Sequence, residues 1–349
     1  LRLEVSRGCT RSCRFCQAGM IYRPVRDRSL ENLLGLAEAS LSSTGYEDVS
    51  LLSLSTGDYG CIDHLMQAVM SRCEAENISV SLPSLRVGTL TPELMKLIKK
   101  VRKTGFTLAV EAGSRRLREV INKDIADEQI ADTISEAFEL GWQVIKLYFM
   151  MGLPTETEED LRGILRIAQE VASLGRKFSR RSSVAISVAG FVPKAHTPFQ
   201  WEAQSSLEEL REKGSFLRKN LRNRSVTLSY HEPEQTFLEG VFARGDRSLG
   251  RVLEEAWRRG ARFDGWGETF SLSRWLDAFH ATGIDPQGFL GARKEHQAFP
   301  WDHISLGVSR KFLWEERRRA YAEELTRDCT RFGCAGCGLE KEGCSVAKG

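Results

Sequence analysis

The chain has 349 residues, 41% hydrophobic and 28% charged, an ordinary balance for a globular protein with length enough to bury a sizeable core. Fifty Lys and Arg against 47 Asp and Glu leave a formal charge of +3, too small an excess to point to nucleic acid by itself. No apolar run approaches the roughly 20 residues that span a bilayer and no secretory signal is visible, which argues against a membrane protein and for a cytoplasmic one.

The sequence opens in a strand-like segment at Leu1 and reads as a region excised from a longer protein. From there to about residue 190 strand and helix patterns alternate. Strands are predicted at 1–6, 49–54, 78–82, 106–110, 143–150 and 183–189. A helix capped by Ser29 runs through Leu30, Leu33, Leu34 and Leu36. Further helices follow at 62–75, from Thr91-Pro92-Glu93 onward, at 127–140 and at 156–174. Six βα units in series predict an α/β fold, a partial (β/α)6 barrel of parallel strands with helices outside and functional groups at the strands' C-terminal ends. Residues 1–205 form this core. Residues 206–325 are charged and helical, a C-terminal extension in which Trp257, Trp266, Trp275, Trp301 and Trp314 are expected to pack against the barrel. Residues 326–349 are a short, Gly- and Cys-rich tail, too small to fold without a metal or a partner.

The nine cysteines are clustered, three within 9–16 and four within 329–344, with Cys61 and Cys73 between. Such clustering without a secretory signal favours metal ligation in a reducing compartment over disulfides. Cys9, Cys13 and Cys16 are separated by three and then two residues, just after the first strand. Thiolates hold iron–sulfur clusters and a cubane normally takes four, so three local cysteines leave one iron open to another ligand. A structural zinc site would need a fourth ligand, and no His is near in sequence.

The spacing Cys9-x3-Cys13-x2-Cys16, with Phe15 before the last cysteine, resembles the radical S-adenosylmethionine (SAM) superfamily signature. That resemblance implies a [4Fe-4S] cluster whose open iron binds SAM, and reductive cleavage of SAM to a 5′-deoxyadenosyl radical that modifies a substrate. It also implies an external reductant such as flavodoxin or ferredoxin. Residues are carried over by position. Thr56-Gly57-Asp58 ends the second strand where the family has a Gly-Gly-Glu-like loop that meets the SAM amino group. Glu111-Ala-Gly-Ser114 resembles a Glu-Ser-Gly-Ser loop whose acid faces SAM. Lys146, on the fifth strand, is a candidate for the SAM carboxylate, with a surface lysine as the alternative.

Gly152-Leu-Pro-Thr-Glu156 closes that strand as in the branch that includes methylthiotransferases, which brings methyl or methylthio transfer to RNA into view. The basic stretches at 176–177, 180–181 and 317–319 would be the phosphate partners. Residues 191–201, with His196, resemble a segment of cobalamin-associated radical SAM proteins. Cobalamin itself would enter only through an N-terminal domain that this sequence lacks. Cys329, Cys334, Cys337 and Cys344 suit structural zinc or an auxiliary Fe–S cluster equally. The contrasting expectation is a non-catalytic electron carrier or scaffold with two clusters.

Overall fold

The computed structural model describes residues 1–81, 92–101, 105–342 and 344. Its frame is parallel β-structure in two sheets. The first holds β1 (Arg2–Glu4), β2 (Asp48–Leu52) and β3 (Ser79–Ser81). The second holds β4 (Phe106–Glu111), β5 (Val144–Met151), β6 (Ser183–Gly190) and β7 (Val226–Tyr230). Helices α1 (Leu30–Ser43), α2 (Ile62–Ala75), α3 (Pro92–Val101), α4 (Asp127–Glu139), α5 (Glu158–Phe178) and α6 (Leu207–Asn220) connect them. The first six strands are those read from the sequence. Leu82, expected to end the third strand, and Thr91, expected to cap the next helix, lie outside the described residues.

Alternation decides which face is which. On β5, Ile145, Leu147, Phe149 and Met151 are buried, while Lys146 and Tyr148 are exposed. The buried set joins Leu3, Val49 and Leu51 of the first sheet and Ile134, Ile164 and Ala168 of the helices in one core. The outer faces of both sheets are therefore sealed by helices, each fully buried side chain contributing about 1.5–3 kcal/mol. The inner faces are left for something else.

Local signals agree with this frame. The Ser29 hydroxyl accepts the Asn32 N–H at 3.2 Å and starts α1. In α5 the first turn is acidic (Glu158, Glu159, Asp160) and the last basic (Arg176, Lys177), as the helix dipole favours.

Two features depart from the sequence reading. The alternation runs one unit further, because Val226–Tyr230 adds a parallel strand beside β6 inside the span expected to be helical. Five residues between charged helices carry too weak a period to stand out. Nor do all the tryptophans pack. Beyond β7, α7 (Pro233–Arg244), α8 (Leu249–Arg258) and α9 (Leu272–Thr282) share a core of their own around Phe237, Val241 and Trp275. Trp257 and Trp266 stand 55% and 66% exposed on that unit. Trp301 and Trp314 surround Trp201, in a cluster that also holds Met20 and α10 (Arg310–Tyr321). Among the described residues no helix is long and apolar enough to cross a membrane.

Candidate active site

Gly8 sets the start of the first cysteine loop. Its φ of +92° and the carbonyls of Tyr22 and Pro24 pressing on it leave no room for a Cβ. Cys9, Cys13 and Cys16 follow, all partly buried and free of disulfides. Burial pushes the Cys9 thiol up to about 11, and proximity of Cys13 and Cys16 adds to the rise. Cys16 is raised the same way, by burial and then by Cys13. The three thiols thus lie near enough to act on one another electrostatically. Backbone donors point at them: Gly19 N–H reaches Cys16 Sγ at 3.4 Å, and the Arg11 N–H favours the Cys9 thiolate. Sulfurs that share a site and accept N–H groups suit a cluster carrying negative charge on sulfur. Among the described residues no three His, Cys, Asp or Glu side chains are placed as the ligand set of one metal ion.

Glu111 ends β4 in a β-bulge, with φ +72° in the left-handed region that non-glycine residues avoid. The strain, of order 1–3 kcal/mol, is held by its surroundings and re-aims the carboxylate. It accepts from Lys123 Nζ at 3.0 Å, and both groups are close enough to shift Cys16. The following glycine is equally constrained. A Cβ on Gly113 would collide with Asp160 O and Ile164 N, because the loop lies against the first turn of α5. Ser114 donates to Asp160 there, and Arg116 bridges Asp160 to Thr155. The Gly152–Glu156 turn is closed by its own ends, Gly152 N–H donating to Glu156 Oε1 at 2.9 Å and Lys213 pairing with Glu156 at 2.6 Å.

Asp160 ties these loops together, and its ionisation carries a prediction. Burial alone would raise its carboxyl, but Ser114, the Thr157 N–H and hydroxyl, and Arg116 outweigh it and hold it below 3.8. A depressed acid stabilises the fold fully above its unfolded pKa, about 4, and loses that contribution as pH falls through the folded value. Urea midpoints should therefore drop below about pH 4, and Asp160→Asn should be less stable at neutral pH and show a shallower acid decline. An unchanged acid limb would refute the assignment.

Thr56, Gly57 and Asp58 form a 3-10 turn after β2. Thr56 is buried, its hydroxyl 2.5 Å from Ser53 Oγ. The Asp58 carboxylate is engaged by Arg11 and accepts from Ser55 at 2.6 Å. It sits near enough to Cys9 to raise that thiol, in a cleft also walled by Gly8, Ser55 and Asp328. Phe15 and Met150 pack against one apolar cluster that includes Ala112 and Leu153, so the cysteine loop and the ends of β4 and β5 share it. Lys146 does not join them. It lies four residues before Met150, about 13 Å down the strand at ~3.3 Å per residue, too deep for a strand-end cofactor contact. His196 is half-buried with φ +56°, its N–H held by Gln200, and its neighbour Ala195 accepts from Gln17 just past Cys16.

The sequence reading missed the residues that brace the loop. Arg14, inside the motif, is fully buried and donates to Glu119 O, Val120 O and Glu324 O while pairing with Glu316 at 3.3 Å. Asn122 donates to Arg11 O, Ser12 O and Thr326 O and accepts the Thr326 N–H. Arg11 also approaches Asp328 at 3.7 Å. No periodicity marks such residues; a charged residue between two ligands was the one available hint.

These contacts bring the tail to the first loop. Cys329 is raised to about 11, by burial and then by Asp328, Cys337 and Cys344, with Arg23 pulling the other way. Arg23 donates to Ser12, and Cys337 packs near Met20. Cys334 is exposed. Cys61 precedes α2 as its N-cap residue and Cys73 is buried within it.

The radical SAM superfamily model matches residues 3–168. Residues 3–168 are a radical SAM domain. The Methanocaldococcus jannaschii protein described as "Uncharacterized protein MJ0966" is 35% identical over 81% of this chain and 60% of its own length. The ribosomal protein uS12 methylthiotransferase RimO of Thermotoga sp. is 25% identical over 48% of this chain and 41% of its length. This chain thus spans less than two thirds of either relative. Solved structures of related shape include the cobalamin-dependent radical enzyme OxsB, with TM-score 0.47 and 14% identity over 93% of this chain and 53% of that one. Another is the methyltransferase TsrM of Kitasatospora setae, with TM-score 0.43 and 14% identity over 54% and 36%.

Proposed function

We propose that this radical SAM chain holds a [4Fe-4S] cluster at Cys9, Cys13 and Cys16, binds SAM and modifies a substrate on the barrel's inner face. The observation that supports this reading is three free, partly buried cysteines on one loop, with the Glu111 carboxylate near enough to act on Cys16. When bound, the cluster and SAM supply the 5′-deoxyadenosyl radical. The chain's own residues bind and orient. Phe15 covers the cluster side of the pocket, and Thr56, Gly57 and Asp58 form its rim. Glu111, turned inward by its bulge and balanced by Lys123, accepts from the cationic or hydroxyl groups of SAM. Asp58 meets the SAM amino group once Arg11 shares or releases it.

Anaerobically reconstituted protein given SAM and dithionite should form 5′-deoxyadenosine. No cleavage, with a verified four-iron cluster in place, would reject this reading and leave the two-cluster electron carrier. In the cell the electron would come from a flavodoxin- or ferredoxin-like donor.

A methylthio- or methyl-transfer outcome draws support from the likeness to RimO, which covers 48% of the chain. RNA as the substrate has less behind it. Arg317, Arg318 and Arg319 are paired with Glu202, Glu315 and Glu316. Arg176, Lys177, Arg180 and Arg181 are exposed where α5 ends and β6 begins, opposite the strand ends that carry the site. The tail cysteines are proposed as a second metal centre, zinc or an auxiliary cluster, on their spacing alone, four free thiols within residues 329–344. No residue here is assigned to cobalamin.

A further inference from the structure

Arg11 stands between two carboxylates from opposite ends of the chain. Its Nε donates to Asp58 Oδ2 at 2.8 Å and its Nη2 to Asp58 Oδ1, a bidentate pair with the turn after β2. The same Nε lies 3.7 Å from Oδ2 of Asp328, the residue that opens the cysteine tail. Asp328 Oδ1 already accepts the Thr330 N–H at 3.0 Å and the Thr330 hydroxyl at 2.7 Å, which leaves Oδ2 for Arg11. The side chains of Arg11, Asp58 and Asp328 are 19%, 22% and 8% exposed. A single cleft is lined by Asp58 and Cys9 and by Asp328 and Thr330 of the tail.

One guanidinium does not neutralise two carboxylates. Asp58 holds Arg11 in a closed fork that Asp328 only approaches, so the trio keeps an excess negative charge in a poorly hydrated place, where an unpaired carboxylate is costly. A cation arriving at Asp58 resolves the imbalance. Arg11 then has about 1 Å to close before it makes a charge-assisted hydrogen bond with Asp328, and two neutral pairs replace one pair and a spare charge. The root of the tail does not have to move. Asn122 grips Thr326 through both its N–H and its carbonyl, and Arg14 holds Glu324 O. Only the segment beyond Thr326 responds to Arg11.

We propose that Arg11 is a positioning residue that couples cofactor binding to the tail: when the ammonium of SAM takes Asp58, Arg11 passes to Asp328 and draws residues 328–331 onto the cysteine loop. This rests on SAM meeting Asp58, as proposed above, and adds that arrival of the cofactor and closure of the tail are one event.

The test uses cluster-reconstituted protein. SAM affinity is read by calorimetry, and tryptic cleavage after exposed Arg327 and Arg331 by peptide mass spectrometry, with cleavage after exposed Arg222 as the control. SAM should slow cleavage at the two tail sites several-fold and leave Arg222 unchanged. Asp328→Asn gives Arg11 no charge to pass to. At wild-type iron content its SAM affinity should fall about 10-fold, the loss of one charge-assisted contact, and the protection of the tail should vanish. Arg11→Gln leaves Asp58 open, so it should bind SAM at least as tightly as wild type while losing the protection, and the double variant should match it. A residue needed only for folding, or one touching SAM itself, would weaken binding when removed. If Arg11→Gln fails to hold its cluster, Asp328→Asn decides alone. Full SAM affinity or a protected tail in Asp328→Asn, or weakened binding in iron-replete Arg11→Gln, would overturn the proposal. Wild type that binds SAM with an unprotected tail would reject the coupling alone; wild type with a four-iron cluster that binds no SAM would reject the underlying reading with it.

Discussion

Changing Cys9, Cys13 and Cys16 together to Ala is expected to remove roughly four irons per chain and abolish SAM cleavage. The three thiols are the cluster ligands in this reading, and the Gly19 N–H on Cys16 has no other charge to serve. Each thiol is partly buried and free, so none is committed to a structural disulfide that its loss would break. The variant also reads the second cysteine set. Metal that survives belongs to Cys329, Cys334, Cys337 and Cys344: zinc marks a structural centre, iron with equal sulfide an auxiliary cluster. Iron, sulfide and zinc contents of wild type and variant, with EPR of the reduced proteins, make the comparison. A variant that keeps its full iron and an unchanged spectrum would remove the first loop from the cluster site.

The frame was legible because its signals are local and periodic. Six strands could be read where β-branched and apolar residues alternate with capped helices, and Ser29 stands at the cap it was assigned. The seventh strand escaped because Val226–Tyr230 gains its identity from β6 rather than from its own residues. The candidate metal-binding loop could be read from the sequence because it occupies eight consecutive positions. Its supports were not, since they come from far along the chain. Lys123 meets Glu111 through a turn, and Glu316 meets Arg14 across 302 positions. Lys146 was legible as a strand residue but not as a depth: which layer it occupies depends on the register of β5 with β4 and β6. Trp257 and Trp266 illustrate the reverse error, bulk being taken for burial when both stand exposed.

The long-range support with the largest energetic consequence is the Arg14–Glu316 pair. Both side chains are fully buried, and Arg14 also serves three backbone carbonyls, two at the end of the short helix Arg115–Val120 and one from the segment leading to the tail. Arg14→Met should cost about 3–5 kcal/mol, because it strands a buried carboxylate. Thr326 and Arg319 remain on Glu316 and limit the loss toward the lower end. Replacing both partners removes the stranded charge, so Arg14→Met/Glu316→Met should be less destabilised than the sum of the single variants. Urea unfolding of the four proteins measures the coupling; strictly additive losses would show that the pair does not act as a unit. Proteolysis supplies the structural half of the test. With Arg14 gone, Glu324 O and Thr326 lose their hold on the cysteine loop, and cleavage near residues 324–331 should quicken before the barrel unfolds. Equal cleavage rates in wild type and Arg14→Met would mean that Asn122 alone keeps the tail in place.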